Sequence, residues 1–131
     1  MENVSSDQHH RQQDRIVIKT AVHFCAGHRL FRHEGKCRWV HGHNYTVVAA
    51  FVNQNNPSAS GLDSVGRVVD FTVVKACLKK WIDENWDHKL IVHEDDTDLF
   101  SISRHFDNVP IYKMPVNPTA ENMAIYLGKC V

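Results

Sequence analysis

Three histidines occupy positions from which strand geometry can bring them to one point. In His41-Gly42-His43 the alternation of strand side chains puts both imidazoles on one side of a sheet. A third, His28, ends the even-numbered face of the preceding strand pattern, so a hairpin pairing its ends near the loop would make His28, His41 and His43 converge. Three neutral imidazoles without a fourth protein ligand describe a zinc site with an open position, the feature that separates catalytic from structural zinc. The competing reading is three histidines held by ordinary hydrogen bonds. The His-x-His spacing with a third ring on the adjoining strand weighs against it.

Cys37 lies in the loop between these strands, four residues before His41. It can be read as a fourth ligand that closes a structural site, or as a reactive thiolate beside the metal. Arg29, Arg32, Lys36 and Arg38 share that loop with a single acid, Glu34, and a positive field of this kind favours thiolates and attracts anions such as phosphate. Asp87 and His88 are adjacent, and a carboxylate can fix a histidine's tautomer and raise its basicity for general acid/base work. Adjacent residues need not touch, so an ordinary helix-end pair is the alternative. Cys25 and Cys77 read as packing residues. His23, His33, His93 and His105 have no partner pattern.

The elements that must position these groups are legible in outline. Ile16, Ile18, Thr20, Val22, Phe24 and Ala26 alternate with polar residues up to His28, and residues 41–52 resume the alternation with β-branched and aromatic side chains. The two segments predict a long hairpin. Residues 53–66 are a loop by composition. Phe71, Val74, Leu78, Trp81 and Ile82 fall at helical spacing in a segment running from Asp70 to Trp86. Residues 87–110 read as mostly irregular, and Ile111 to Met114 as a short strand. Asn117-Pro118-Thr119-Ala120-Glu121-Asn122 marks a helix start, with Thr119 as N-cap, Glu121 near the positive dipole end, and Ala120, Met123, Ala124 and Leu127 as the core stripe.

The chain has 131 residues, enough for one domain with one hydrophobic core. Fifteen basic residues balance 15 acidic ones, without long runs of either sign, which excludes the electrostatic footprint of a general nucleic-acid or membrane-surface binder. The partner expected is a small molecule. Four cysteines without a C-x-x-C pair suit a reducing compartment, and no basic-then-apolar leader or run of 18 apolar residues is present, so a cytoplasmic protein is expected. Residues 1–14 are polar and without hydrophobic period; a disordered tail is expected there, carrying His9 and His10, with a single domain over 15–131.

Five blocks in order, F-C-A-G-H-R-L (24–30), G-K-C-R-W-V-H-G-H-N-Y (35–45), V-V-D-F (68–71), W-D-H-K-L (86–90) and N-P-T-A-E-N (117–122), resemble the 6-pyruvoyl-tetrahydropterin synthase / 6-carboxytetrahydropterin synthase family. The resemblance spans residues 20–128 and implies an α+β tunnelling fold (T-fold). Its parts would be antiparallel strands with two helices on one face, assembled as a homo-oligomer, trimer or hexamer, with active sites between subunits. It implies zinc at His28, His41 and His43, and catalytic roles for Cys37, Asp87 and His88, with Cys37 a proton acceptor and not a ligand. The implied substrate is 7,8-dihydroneopterin triphosphate, which loses triphosphate. The three-residue gap between Cys37 and His41 resembles the carboxy-forming branch of the queuosine route more than the pyruvoyl-forming branch that serves tetrahydrobiopterin. In that family a further strand with a Glu-Thr pair follows the last helix, and its Glu anchors the pterin ring. No such strand follows Gly128, so the domain is expected to be C-terminally short relative to the family, and the substrate-binding residues stay unassigned. Glu121 belongs to the helix start and is not that anchor. A zinc-binding or pterin-binding subunit without catalysis stays open as an alternative.

Overall fold

The computed structural model describes residues 15–53 and 60–131. The tail expected at residues 1–14 lies outside them. Two twelve-residue strands, β1 (Val17–His28) and β2 (His41–Val52), pair antiparallel from Val17 opposite Val52 to His28 opposite His41. The long hairpin expected from the alternation is present. Even positions of β1 turn inward, with Val22, Phe24, Ala26 and His28 buried, while Tyr45, Val47 and Ala49 of β2 pack against the same core.

Helices cover that face. In α1 (Phe71–Asn85), Leu78 and Ile82 are buried, and Asp70 is the N-cap, its carboxylate accepting from the Thr72 and Val73 amides at 2.9 and 3.4 Å. The strand β3 (Leu90–His93), the short helix α2 (Thr97–Ser103) and the strand β4 (Ile111–Met114) follow, and then α3 (Ala120–Cys130), capped as expected by Thr119, whose hydroxyl accepts from the Asn122 amide at 3.1 Å. Met123 and Leu127 of α3 are buried, whereas Ala120 and Ala124 are exposed, so the stripe is narrower than its apolar spacing implied. Trp86, just past α1, is 1% exposed and contacts the rings of Phe24, Trp81, Tyr112 and Tyr126, tying both helices to the sheet.

The α+β class stands, but the sheet is mixed, in the order β2-β1-β3-β4, and a third helix is present. β3 runs parallel to β1, paired through Gly27 with Leu90 and His28 with Ile91, and β4 runs parallel to β3. A helix between two strands carries the chain back before the next strand begins, which makes the neighbour parallel; α2 acts as such a crossover between β3 and β4, whereas β3 matches the direction of β1 because β2 has already carried the chain back before α1. Residues 87–110, read as mostly irregular, hold β3 and α2, whose four and seven residues are too short to show a period. Cys25 and Cys77 are exposed, not packed: Cys25 sits on the outward face of β1, and Cys77 falls off the buried stripe of α1. Among the described residues no helix is long and apolar enough to cross a membrane.

Ile82 is 0% exposed within this core. Ile82→Ala is expected to lower unfolding free energy by about 2–5 kcal/mol in urea titrations, with an unchanged denaturant slope. A loss under about 1 kcal/mol would mean that the helix layer is not packed on the sheet as described.

Candidate metal centre and cleft

The hairpin register decides the site. With His28 opposite His41 and Ala26 opposite His43, the three imidazoles gather at one end of the β1–β2 ladder. Their ring centroids are 4.5–5.1 Å apart and their donor atoms lie within 4.8 Å of one another. His28 is buried, His41 half-buried and His43 exposed, so the cluster opens outward at one corner.

Backbone carbonyls set the protonation of two rings. Nδ1 of His28 lies 2.8 Å from the carbonyl oxygen of Pro118, and Nδ1 of His41 lies 2.7 Å from that of Trp39. A carbonyl can only accept, so each Nδ1 carries the hydrogen and each neutral ring presents an Nε2 lone pair. Those two Nε2 atoms face each other at 3.1 Å. Facing lone pairs repel unless a cation or proton sits between them. A tetrahedral ion about 2.0 Å from each imidazole nitrogen needs donors roughly 3.3 Å apart, so the residues present fit a metal. Burial, foremost, holds the His28 ring below the ordinary histidine pKa; the Pro118 bond opposes this, and His41 and His43 add to it. Tyr45 lies under the cluster, stacked on Phe24 at 4.8 Å and 5.6 Å from the His43 ring. Its hydroxyl is buried without a hydrogen-bond partner among the described residues, and burial pushes its pKa up to about 12.

The turn after α1 brings a second group to the same end. Nδ1 of His88 donates to the Asp87 carboxylate at 2.9 Å, so this adjacent pair does touch. The other Asp87 oxygen accepts the Cys25 amide at 3.0 Å, and the His88 amide donates to the Cys25 carbonyl at 2.7 Å. The pair is thus pinned to β1 on both sides of one residue, with His88 in the left-handed region at φ 56°. The Cys25 amide, first, and His88, second, hold the Asp87 carboxyl below its usual range. His88 stays 79% exposed in its side chain, and it shares an open cleft of about 670 Å³ with His43, Asn44, Cys25 and Lys89.

Cys37 lies elsewhere. It is half-buried on a short 3-10 turn, Lys36–Arg38, where its carbonyl accepts the Leu30 amide at 2.8 Å. Among the described residues the metal-competent cluster contains only the three histidines, and Cys37 does not line the cleft. The basic loop is less available to anions than its composition implied. Arg29 is paired with fully buried Asp96, its Nε at 2.6 Å and its Nη2 on the second oxygen. Arg32 and Arg38 stack over Phe31 and Trp39 at 4.9 and 4.5 Å.

Three of the four unassigned histidines take local structural work. Nδ1 of His33 accepts the Gly35 amide, Nδ1 of His93 accepts the Asp95 amide, and His23 shares a hydrogen bond with the Thr46 hydroxyl. The groups that sequence reading missed are the Trp39 and Pro118 carbonyls, Asn117 and Asp96. Carbonyls leave no mark in a sequence, and Asp96 meets Arg29 across 67 residues.

A histidine whose folded pKa is depressed resists a proton that the unfolded chain accepts, so stability is complete above the unfolded value and falls as pH drops through it. Metal-free protein is therefore expected to lose urea resistance between pH about 7.5 and about 5.5, and His28→Gln to lose less over that interval. Equal pH slopes for parent and variant would remove His28 as the cause.

Comparisons with known proteins place the chain in a family. The family model described as 6-pyruvoyl tetrahydropterin synthase matches residues 17–130. A 6-carboxy-5,6,7,8-tetrahydropterin synthase of Rickettsia conorii is 42% identical over 112 residues, covering 86% of this chain and 77% of the relative. The enzyme of the same name from Bacillus subtilis is 32% identical over 109 residues, covering 81% of this chain and 64% of the relative. Among solved structures, an uncharacterized protein from Wolinella succinogenes superposes with a TM-score of 0.72 at 22% identity, covering 90% of this chain and 83% of that one. The 6-pyruvoyl tetrahydropterin synthase of Caenorhabditis elegans gives 0.56 at 22% identity, covering 89% and 76%. At such identities the structures speak for the fold alone, which is the T-fold. With the family model covering nearly all the described residues, the chain belongs to the 6-pyruvoyl tetrahydropterin synthase family.

Proposed function

We propose that this protein is a zinc-dependent 6-carboxy-5,6,7,8-tetrahydropterin synthase that acts on 7,8-dihydroneopterin triphosphate, with loss of triphosphate and acetaldehyde, in the cytoplasmic route to queuosine. The observation that carries the reading is the convergence of three imidazoles, two with tautomers fixed by carbonyls, in a chain 42% identical to relatives of that name. His28, His41 and His43 would hold the zinc, which would supply Lewis acidity to the substrate's side chain. Cys37 as thiolate takes a proton from that side chain. His88 exchanges a second proton through Nε2, because Asp87 occupies its Nδ1. Triphosphate leaves by elimination, and addition of one water with carbon–carbon cleavage releases acetaldehyde and leaves the carboxylate on the ring.

The same reading has the enzyme work as a homo-oligomer, a trimer or hexamer, with its sites between subunits. Two observations support this. Cys37 stands outside the cleft that holds His43 and His88. The twelve-residue strand β2 closes one end of the sheet with its outer edge unpaired among the described residues, and an uncovered edge of that length invites pairing with another chain. Light scattering is expected to give three or six times the chain mass, and a monomer at micromolar concentration would count against shared sites.

Zinc-loaded protein incubated with 7,8-dihydroneopterin triphosphate is expected to yield 6-carboxy-5,6,7,8-tetrahydropterin, acetaldehyde and triphosphate by mass spectrometry. Cys37→Ala should lower turnover by about 100-fold or more at unchanged zinc content. A retained pyruvoyl side chain would select the tetrahydrobiopterin branch. Loss of zinc in Cys37→Ala would make the cysteine a ligand, and no triphosphate release from folded, zinc-loaded protein would leave a non-catalytic zinc- or pterin-binding subunit.

A further inference from the structure

The N-P-T-A-E-N segment meets the metal centre through a residue with no place in the reaction proposed above. Asn117 is joined to Phe31, 86 positions away, by both ends of its carboxamide: Oδ1 accepts the Phe31 amide at 2.7 Å and Nδ2 donates to the Phe31 carbonyl at 3.0 Å. Phe31 lies three residues past His28. On its other side Asn117 is fixed to the start of α3, its carbonyl accepting from the Asn122 side chain at 2.9 Å and from the Thr119 amide at 2.8 Å. Between these anchors lies Pro118, less than 2% exposed, whose carbonyl holds Nδ1 of His28 at 2.8 Å.

We propose that Asn117 is a positioning residue of the three-histidine centre, acting on His28 through the Pro118 carbonyl. The carboxamide presents a donor and an acceptor in one plane and pairs with Phe31 as a backbone amide would. An aliphatic side chain makes neither bond, and a carboxylate makes only the one from the Phe31 amide. Without that double anchor the Pro118 carbonyl is no longer held over the His28 ring, Nδ1 loses its fixed acceptor, and the Nε2 lone pair is no longer aimed at His41. Outer partners of metal-bound imidazoles act in this way, and their loss costs about 10–100-fold in metal affinity. The inference rests on the reading of these histidines as metal ligands.

The test measures Zn2+ affinity by competition with a chromophoric chelator, for the parent, Asn117→Ala, Asn117→Asp and Leu78→Ala. Leu78 is a buried core residue of α1 outside the centre, so its truncation destabilises without touching His28. Asn117→Ala is expected to bind Zn2+ about 10–100-fold more weakly, Asn117→Asp to fall between it and the parent, and Leu78→Ala to stay within about twofold. Leu78→Ala weakening binding as much as Asn117→Ala would show a general stability effect and overturn the proposal. A parent that fails to bind Zn2+ would sink the metal reading itself, whereas a binding parent with an equally tight, folded Asn117→Ala would overturn only the role of Asn117. Should Asn117→Ala not fold, Asn117→Asp decides: 15N spectra of the metal-free protein should show His28 protonated on Nδ1 in the parent and a tautomer mixture in the variant. An unchanged tautomer with unchanged affinity would refute it.

Discussion

The antiparallel register of β1 and β2 is the constraint from which the chemistry follows. His28 faces His41 because Val17 faces Val52, and every pair between them keeps that phase. Strand side chains alternate faces, so a slip of one residue would turn Val22, Phe24, Ala26 and His28 outward together, exposing the core and dispersing the imidazoles in one move. Burial of the apolar residues therefore enforces the position of the polar ones. Tyr45 makes the coupling concrete: it packs on Phe24 in the core and touches the edge of the His43 ring.

Around that ladder, contacts distant in sequence fix what the strands alone leave free. The Pro118 and Trp39 carbonyls choose tautomers for His28 and His41. The Arg29–Asp96 pair holds the loop beyond His28 against the start of α2, with its carboxylate fully buried. A buried ion pair contributes little net stability over an apolar alternative, but losing one partner costs about 3–5 kcal/mol, so such a pair acts as a constraint on arrangement more than as a source of stability. Asp87 and His88 are likewise oriented by backbone atoms of Cys25.

Legibility in the sequence followed the range of the physics. The hairpin, α1, the Thr119 cap and the meeting of His28, His41 and His43 depend on periodicity or local chemistry, and those patterns were readable. The parallel pairing of β3 and β4 was not, because four-residue strands carry no period and their neighbours are set by helical crossovers. Arg29 looked like part of an anion-attracting loop because nothing local reveals Asp96. Cys25 and Cys77 looked like core because cysteine usually is, yet each sits one position off a buried stripe. Contact between Asp87 and His88 required a turn with positive φ at His88, a conformation that residue type does not announce.

The mixed sheet has a seam. β2 joins β1 along the whole length of both strands, but β3 joins it only through Gly27 and His28. The segment from Trp86 to Leu90 crosses that seam, and three of its backbone or side-chain bonds to β1, from Asp87, His88 and Lys89, lie within a few residues of each other. Proteins open locally where pairing is shortest. Asp87 and His88 are thus also part of the fastening between the two halves of the sheet, and Trp86, buried beside them, is the apolar plug that keeps it shut. Amide exchange should accordingly be slow through the β1–β2 ladder and faster in β3 and β4, with Asp87 and His88 at the boundary between a rigid and a breathing half of one sheet.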